Sequence, residues 1–181
     1  MKKLIVLAIA FSTVLTSCKE EKKVEVKEEV TVIKSASDIN NVDLSTSVLN
    51  WKGSKPTGDH NGTVMLKSGG ILIENEVITA GEFVVDMNTI TNLDMKGKKG
   101  AGNLEKHLKN SDFFDVTIFP IAKFVITKVE ENGEKLAVTG NLSIKDVTKS
   151  ITIPATLSKV EGSYVFKSDN FNIDRADFNV K

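Results

Sequence analysis

Leu136-Ala137-Val138-Thr139-Gly140-Asn141-Leu142-Ser143-Ile144, followed after a short turn by Ile151-Thr152-Ile153-Pro154-Ala155-Thr156-Leu157-Ser158, decides the fold. In the first run Leu136, Val138, Gly140, Leu142 and Ile144 alternate with small or polar residues. In the second, Ile151, Ile153, Ala155 and Leu157 do the same. A period of two gives each strand one dry face and one wet face. Working outward, Phe83, Val85 and Met87 repeat the pattern, as do Ala122, Phe124 and Ile126. The stretches 48–52, 63–67 and 164–168 are further candidate strands, contributing Trp51, Val64, Leu66, Tyr164 and Phe166 to the dry side. Glu131-Asn132-Gly133 predicts a type I′ hairpin turn, and Glu161-Gly162-Ser163 a second turn. Many short antiparallel strands with regular turns predict an all-β barrel or sandwich. One stretch breaks the rhythm. Residues 95–114 lack alternation, and Leu104, His107 and Leu108 share a helical face, predicting a Lys/Gly-rich loop and then a short helix over 103–109.

The N-terminus carries a different signal. Lys2 and Lys3 precede the apolar run LIVLAIAFSTVL, which is too short to span a bilayer comfortably and fits an export signal. Leu15-Thr16-Ser17-Cys18 then matches a lipobox. Cys18 is the only cysteine, so no intramolecular disulfide is available and the fold rests on its core. The expectation is a signal peptide over 1–17 and acylation of Cys18. Several acyl chains at about 0.8 kcal/mol per buried CH₂ give stable anchoring. The expected location is the envelope of a bacterium, on the outer membrane.

The chain has 24 basic and 24 acidic residues, and loss of Lys2 and Lys3 leaves 22 against 24. No general attraction to nucleic acid follows. Hydrophobic residues make up 40% of the chain, enough for one domain with a real core. Residues 19–29 read KEEKKVEVKEE, with mixed charge and only two valines, so 18–42 is expected to be a charged tether. The barrel domain is expected over 43–181. Lys19-Glu20-Glu21 resembles the surface-export signal of Bacteroidota lipoproteins, although a solvated charge run accounts for it equally well.

Further motifs carry a family resemblance. His107-Leu108-Lys109-Asn110-Ser111-Asp112-Phe113-Phe114-Asp115, followed by Phe119-Pro120 and Lys123-Phe124, resembles the signature of the YceI-like family. So do, in order, Trp51-Lys52-Gly53 with His60-Asn61-Gly62, the stretch 81–90 (GEFVVDMNTI), 138–149 (VTGNLSIKDVTK), and Phe171-Asn172-Ile173-Asp174-Arg175-Ala176-Asp177-Phe178. The resemblance implies a lipocalin-like antiparallel barrel, and characterised members hold a long polyisoprenoid inside it. Two departures stand out. Asp146 occupies a position that is usually glycine; if that position takes positive φ, Asp is among the tolerated residues. The chain also stops at Lys181, directly after Asp177-Phe178-Asn179-Val180, where relatives continue to another strand, so a longer protein is expected.

Core packing is the default role for the dry-face residues, since a small barrel either fills its interior or leaves a cavity. The resemblance implies that Trp51, Val64, Leu66, Phe83, Val85, Met87, Phe124, Ile126, Leu136, Val138, Leu142, Ile144, Ile151, Ile153, Leu157, Tyr164 and Phe166 line a cavity for an isoprenoid-type lipid, the only ligand expected. His60 and His107 are the only histidines, and Asp59-His60-Asn61-Gly62 reads as a turn or loop edge. No cysteine ligands or close histidine pair support a metal. Arg175, the only arginine, is expected in a structural salt bridge; the alternative is that His107 and Arg175 meet a polar head group. No nucleophile elbow, phosphate loop or Ser-His-Asp order is present, so an enzyme is not expected. Two other readings stay open. One is a filled barrel whose outer face binds a protein. The other is an enzyme or metal protein built on His60, His107 and Asp112. Oligomeric state is not readable.

Overall fold

The computed structural model describes residues 24–29, 39, 41–56 and 58–181. Among the described residues eight strands form one antiparallel sheet: β1 (Val26–Glu28), β2 (Val48–Lys55), β3 (Gly58–Glu74), β4 (Val77–Asn92), β5 (Ile121–Asn132), β6 (Lys135–Ile144), β7 (Val147–Val160) and β8 (Ser163–Ser168). The order is β1-β7-β6-β5-β4-β3-β2, with β8 also pairing β7. The sheet curls into a half-barrel of the lipocalin-like kind.

The two longest strands, β3 and β4, meet at Asn75-Glu76, where both residues have positive φ (52° and 66°). That is the backbone of a type I′ turn, whose twist matches the flanking strands. Glu76 takes the left-handed conformation at the usual cost to an L-residue. Glu76→Gly is therefore expected to raise stability by about 0.5–1 kcal/mol, read as a higher midpoint in denaturant unfolding. Below the turn, Ile73 pairs with Ile78 but Leu72 pairs with Ala80, leaving one extra residue on β4. This bulge shifts the alternation, so that Ile78 joins the same core as Phe83 despite the odd spacing.

The expected helix is α1 (Ala101–Lys109), starting two residues earlier than the apolar spacing indicates. Leu104 and Leu108 face inward with Phe113, Phe114 and Val116, and pack on Val64, Val85 and Met87. The helical insertion thus covers one end of the half-barrel.

Several expectations are corrected. The tether expected over 18–42 contains β1, which pairs Val26 with Ile151 and Glu28 with Lys149. Val24 is buried in the core, because the two valines of KEEKKVEVKEE reach an apolar edge that the sheet supplies. The domain also begins before residue 43. Val42 N–H donates to the Gly69 carbonyl at 3.0 Å, and the Asn41 amide brackets the backbone of Ile71. Gly70 makes room for Asn41, whose Oδ1 would lie 1.8 Å from a Cβ there.

The β5–β6 turn is shifted by one residue. Asn132 pairs with Lys135, so Gly133 and Glu134 are the central pair. At the β6–β7 turn Lys145, rather than Asp146, has positive φ (56°). Asp59, His60, Asn61 and Gly62 lie within β3 rather than in a loop. Arg175–Phe178 is a 3-10 turn, capped by the Asp174 carboxylate accepting from Ala176 N–H at 3.0 Å. The turn buries Phe178 completely and Val180 almost so. Cys18 and the expected signal peptide lie outside the described residues.

Candidate functional site

The inward face of the half-barrel carries two apolar clusters that differ in height along the strands. In the first, Ile126, Val138, Ile151 and Ile153 are buried. Half-buried and packed against them are Phe83, Phe124, Leu136, Leu142, Leu157 and Phe166. The second cluster, at the α1 end, has Val64, Val85 and Met87 buried, with Trp51, Leu66 and Ile144 half-buried around them. Every dry-face candidate except Tyr164 therefore lies in one of two adjoining clusters. Tyr164 is 38% exposed, because β8 is a terminal strand with nothing beyond it among the described residues.

Local sequence explains how the large rings fit. Trp51 on β2 lies flat over Gly62 on β3, where a Cβ would sit 2.7 Å from the indole ring. Its Nε1–H donates to the Thr91 carbonyl at 3.1 Å, which satisfies the one polar atom of the ring. Phe124 likewise covers Gly140 on the neighbouring strand. Phe83 on β4 stacks on Phe166 on β8, centroids 5.6 Å apart. These strands are far apart in sheet order, so this contact crosses the interior and measures how strongly the sheet curls.

Sequence reasoning missed part of this face. Ile71, Ile73, Val129 and Phe171 also pack against the first cluster. The signal for Ile71 and Ile73 was present as alternation, but it continues across Gly69-Gly70, which reads as a break. Both glycines have positive φ, and they let β3 run close against β4 and Asn41.

The polar candidates fall into two separate groups. His107 Nδ1 is 3.3 Å from the Asp112 carboxylate, and its ring lies tilted on Phe113 at 5.7 Å. The Arg175 guanidinium lies over the same Phe113 ring at 5.2 Å. The contact seen for Arg175 is thus cation–π, where a structural salt bridge was expected. His107 and Arg175 converge on one aromatic ring, but both are exposed.

His60 belongs to the other group. Its Nδ1 is 3.0 Å from the Asp94 carboxylate, which also accepts from Asn61 N–H and the Asn92 side chain. Asn92 N–H in turn donates to Glu105 of α1, fastening the helix to β4. The two histidines are therefore engaged by different carboxylates. Among the described residues no group of three or more His, Cys, Asp and Glu is placed to hold a metal.

Asp94 is held far below its ordinary value of 3.8, first by the Asn61 backbone N–H and then by His60. A depressed carboxylate stabilises the fold above its unfolded value, and that contribution is lost as pH falls through the folded one. The stability difference between the wild type and Asp94→Asn is expected to be constant above about pH 5 and to shrink below about pH 4. Denaturant midpoints across pH check this. A gap unchanged down to pH 2 would contradict it.

Residues 19–181 match the family model described as YceI-like domain. A UPF0312 protein of Pseudomonas putida (strain W619) is 44% identical over 77 residues, which is 42% of this chain and 37% of that one. A UPF0312 protein of Pseudomonas syringae pv. tomato is 51% identical over 55 residues, 30% of this chain and 29% of that one. These matches span about a third of the curated relatives' length. The crystal structure of BcnA from Burkholderia cenocepacia superimposes with a TM-score of 0.63 at 23% identity, covering 77% of this chain and 85% of that one. The Campylobacter jejuni YceI protein gives 0.50 at 17% identity, covering 95% and 85%. The fold agrees, and the chain belongs to the family of YceI-like domains.

Proposed function

We propose that this domain is a non-enzymatic binding protein that holds a long apolar lipid of polyisoprenoid type against the inward face of the half-barrel, and that acylated Cys18 anchors it to a membrane. The observation that carries this reading is the incomplete burial of the inward apolar face. Phe83, Phe124, Leu136, Leu142, Leu157 and Phe166 are only half-buried, although they pack against the buried Ile126, Val138, Ile151 and Ile153. These side chains present apolar area that a tail would remove from water. At about 0.8 kcal/mol per buried CH₂, a tail of ~20 carbons releases on the order of 16 kcal/mol gross. Ordering of the chain offsets much of that. Binding of this kind is limited by shape and needs few directional contacts. Family membership supports the ligand class, and the lipobox at Leu15-Thr16-Ser17-Cys18 supports the anchor.

The test is a titration with an isoprenoid quinone, read through the emission of Trp51, the only tryptophan. Saturable quenching is expected. Leu157→Asp, at the half-buried rim, is expected to weaken binding at least about tenfold, since it places a carboxylate against the tail. Equal affinity for wild type and variant would contradict the assignment of the face.

The Phe83–Phe166 stack favours a second reading, because it fills part of the interior with the protein's own rings. On that reading the half-barrel is a packed core, and an outer surface engages a protein partner. Absence of saturable quenching selects it.

A further inference from the structure

The strand β1 fixes where an anchored domain meets its membrane. β1 is antiparallel to β7, with Val26 opposite Ile151 and Glu28 opposite Lys149. Toward its N-terminal end it therefore runs toward the β7–β8 hairpin, whose turn is Glu161-Gly162. Val24 is buried, and its N–H donates to the Asn172 carbonyl at 2.9 Å, so the chain is held at this point. The Lys149 Nζ–Glu28 Oε1 ion pair, at 2.7 Å, adds a contact at the other end of β1.

Two lengths then agree. Eight residues separate Cys18 from Val26, a covalent reach of about 26–29 Å at most. Nine residues separate Ile151, which faces Val26, from Val160 at the hairpin tip, about 30 Å of strand. An anchor at Cys18 thus reaches to about the level of the tip and no farther while β1 stays docked.

The chemistry of the tip fits an interface of water and lipid. Residues 158–165 are all exposed. Among them Val160 is 53% exposed, Val165 45% and Tyr164 38%. Lys159 extends its ammonium over the Tyr164 ring at 5.4 Å. Exposed aliphatic side chains, a tyrosine and a lysine able to snorkel are the residue types that settle at the headgroup level of a bilayer.

We propose that the tip of the β7–β8 hairpin is the surface by which the anchored protein contacts the lipid bilayer, with docked β1 setting that orientation. This rests on acylation of Cys18, as put forward above. The experiment is hydrogen exchange on the full acylated protein in phosphatidylcholine vesicles, compared with the Cys18→Ser form with and without the same vesicles. The expected result is exchange slowed about fivefold or more over 158–165 in the anchored protein alone. Tyr164→Ser combined with Val165→Ser is expected to abolish the slowing while the protein stays vesicle-bound. An acylated, vesicle-bound protein with unchanged exchange at the tip, or slowing only at the α1 end near Leu93 and Ile118, would overturn the inference and leave the anchor intact. Slowing at the tip in the Cys18→Ser form without vesicles would indicate contact with a second copy and overturn it too. Mass spectrometry showing no acyl group on Cys18 would overturn both.

Discussion

Phe178→Ala is expected to cost about 3–5 kcal/mol of unfolding free energy, a large share of what a domain of this size has. Phe178 is 0% exposed, yet it lies in a four-residue 3-10 turn close to the chain end. The turn is held at its start by the Asp174 cap and at its end by Val180 N–H donating to the Arg175 carbonyl at 3.2 Å. Lys145 Nζ also reaches the Asn179 carbonyl at 3.1 Å, so the segment is tied to the β6–β7 turn. Such fixation limits collapse into the cavity that the substitution leaves, which places the cost toward the upper part of the usual range. Equilibrium unfolding in urea measures it. A loss below about 1 kcal/mol would mean that the C-terminal turn is not part of the cooperative core.

Gly140→Val is expected to be comparably severe, for the opposite reason. A Cβ at Gly140 would lie 2.5 Å from Phe124 Cζ and 2.7 Å from the Val125 carbonyl oxygen. The ring has some freedom to move, but the carbonyl belongs to the β5 backbone paired with β6. Overpacking against backbone is expected to cost about 3 kcal/mol or more. The backbone at Gly140 is not left-handed, so the penalty is spatial rather than conformational. This gives a second check. Gly140→Ala costs less, and combining it with Phe124→Leu is expected to be clearly non-additive, because the smaller side chain relieves the same clash. Additive losses would show that Phe124 does not occupy the space over Gly140.

The fold class was legible because alternation at 136–144 and 151–157 survives intact in β6 and β7, strands paired on both sides with few irregularities. Legibility failed where pairing is irregular. The bulge between Leu72 and Ile73 moves Ile78 onto the inward face, and a period-two reading cannot show a shift of phase. β1 was hidden for another reason. Two valines among charges cannot fold alone, and only the β7 edge gives them a place to pack. The burial of Phe178 was not legible, because the turn that buries it depends on tertiary contacts with β7 and the β6–β7 turn.

Most of the apolar inward face was legible: of the expected residues only Tyr164 lies outside its clusters, while Ile71, Ile73, Ile78, Val129 and Phe171 were missed. Whether a ligand shares that face was not, since one set of side chains serves both a packed interior and a lipid site. The polar groups were legible as residue types only. Nothing in spacing places His107 and Arg175 on the same ring, or His60 beside Asp94, because both pairs join segments distant in sequence.

The central claim is that a lipid tail occupies the inward face. Native mass spectrometry of the protein purified from its own membranes, followed by solvent extraction, tests it most directly. The expected result is one stoichiometric apolar adduct of isoprenoid-type mass, released by solvent and restored by incubation with the extracted lipid. A folded protein that carries no such adduct, and gains none on incubation with isoprenoid quinones, would contradict the claim.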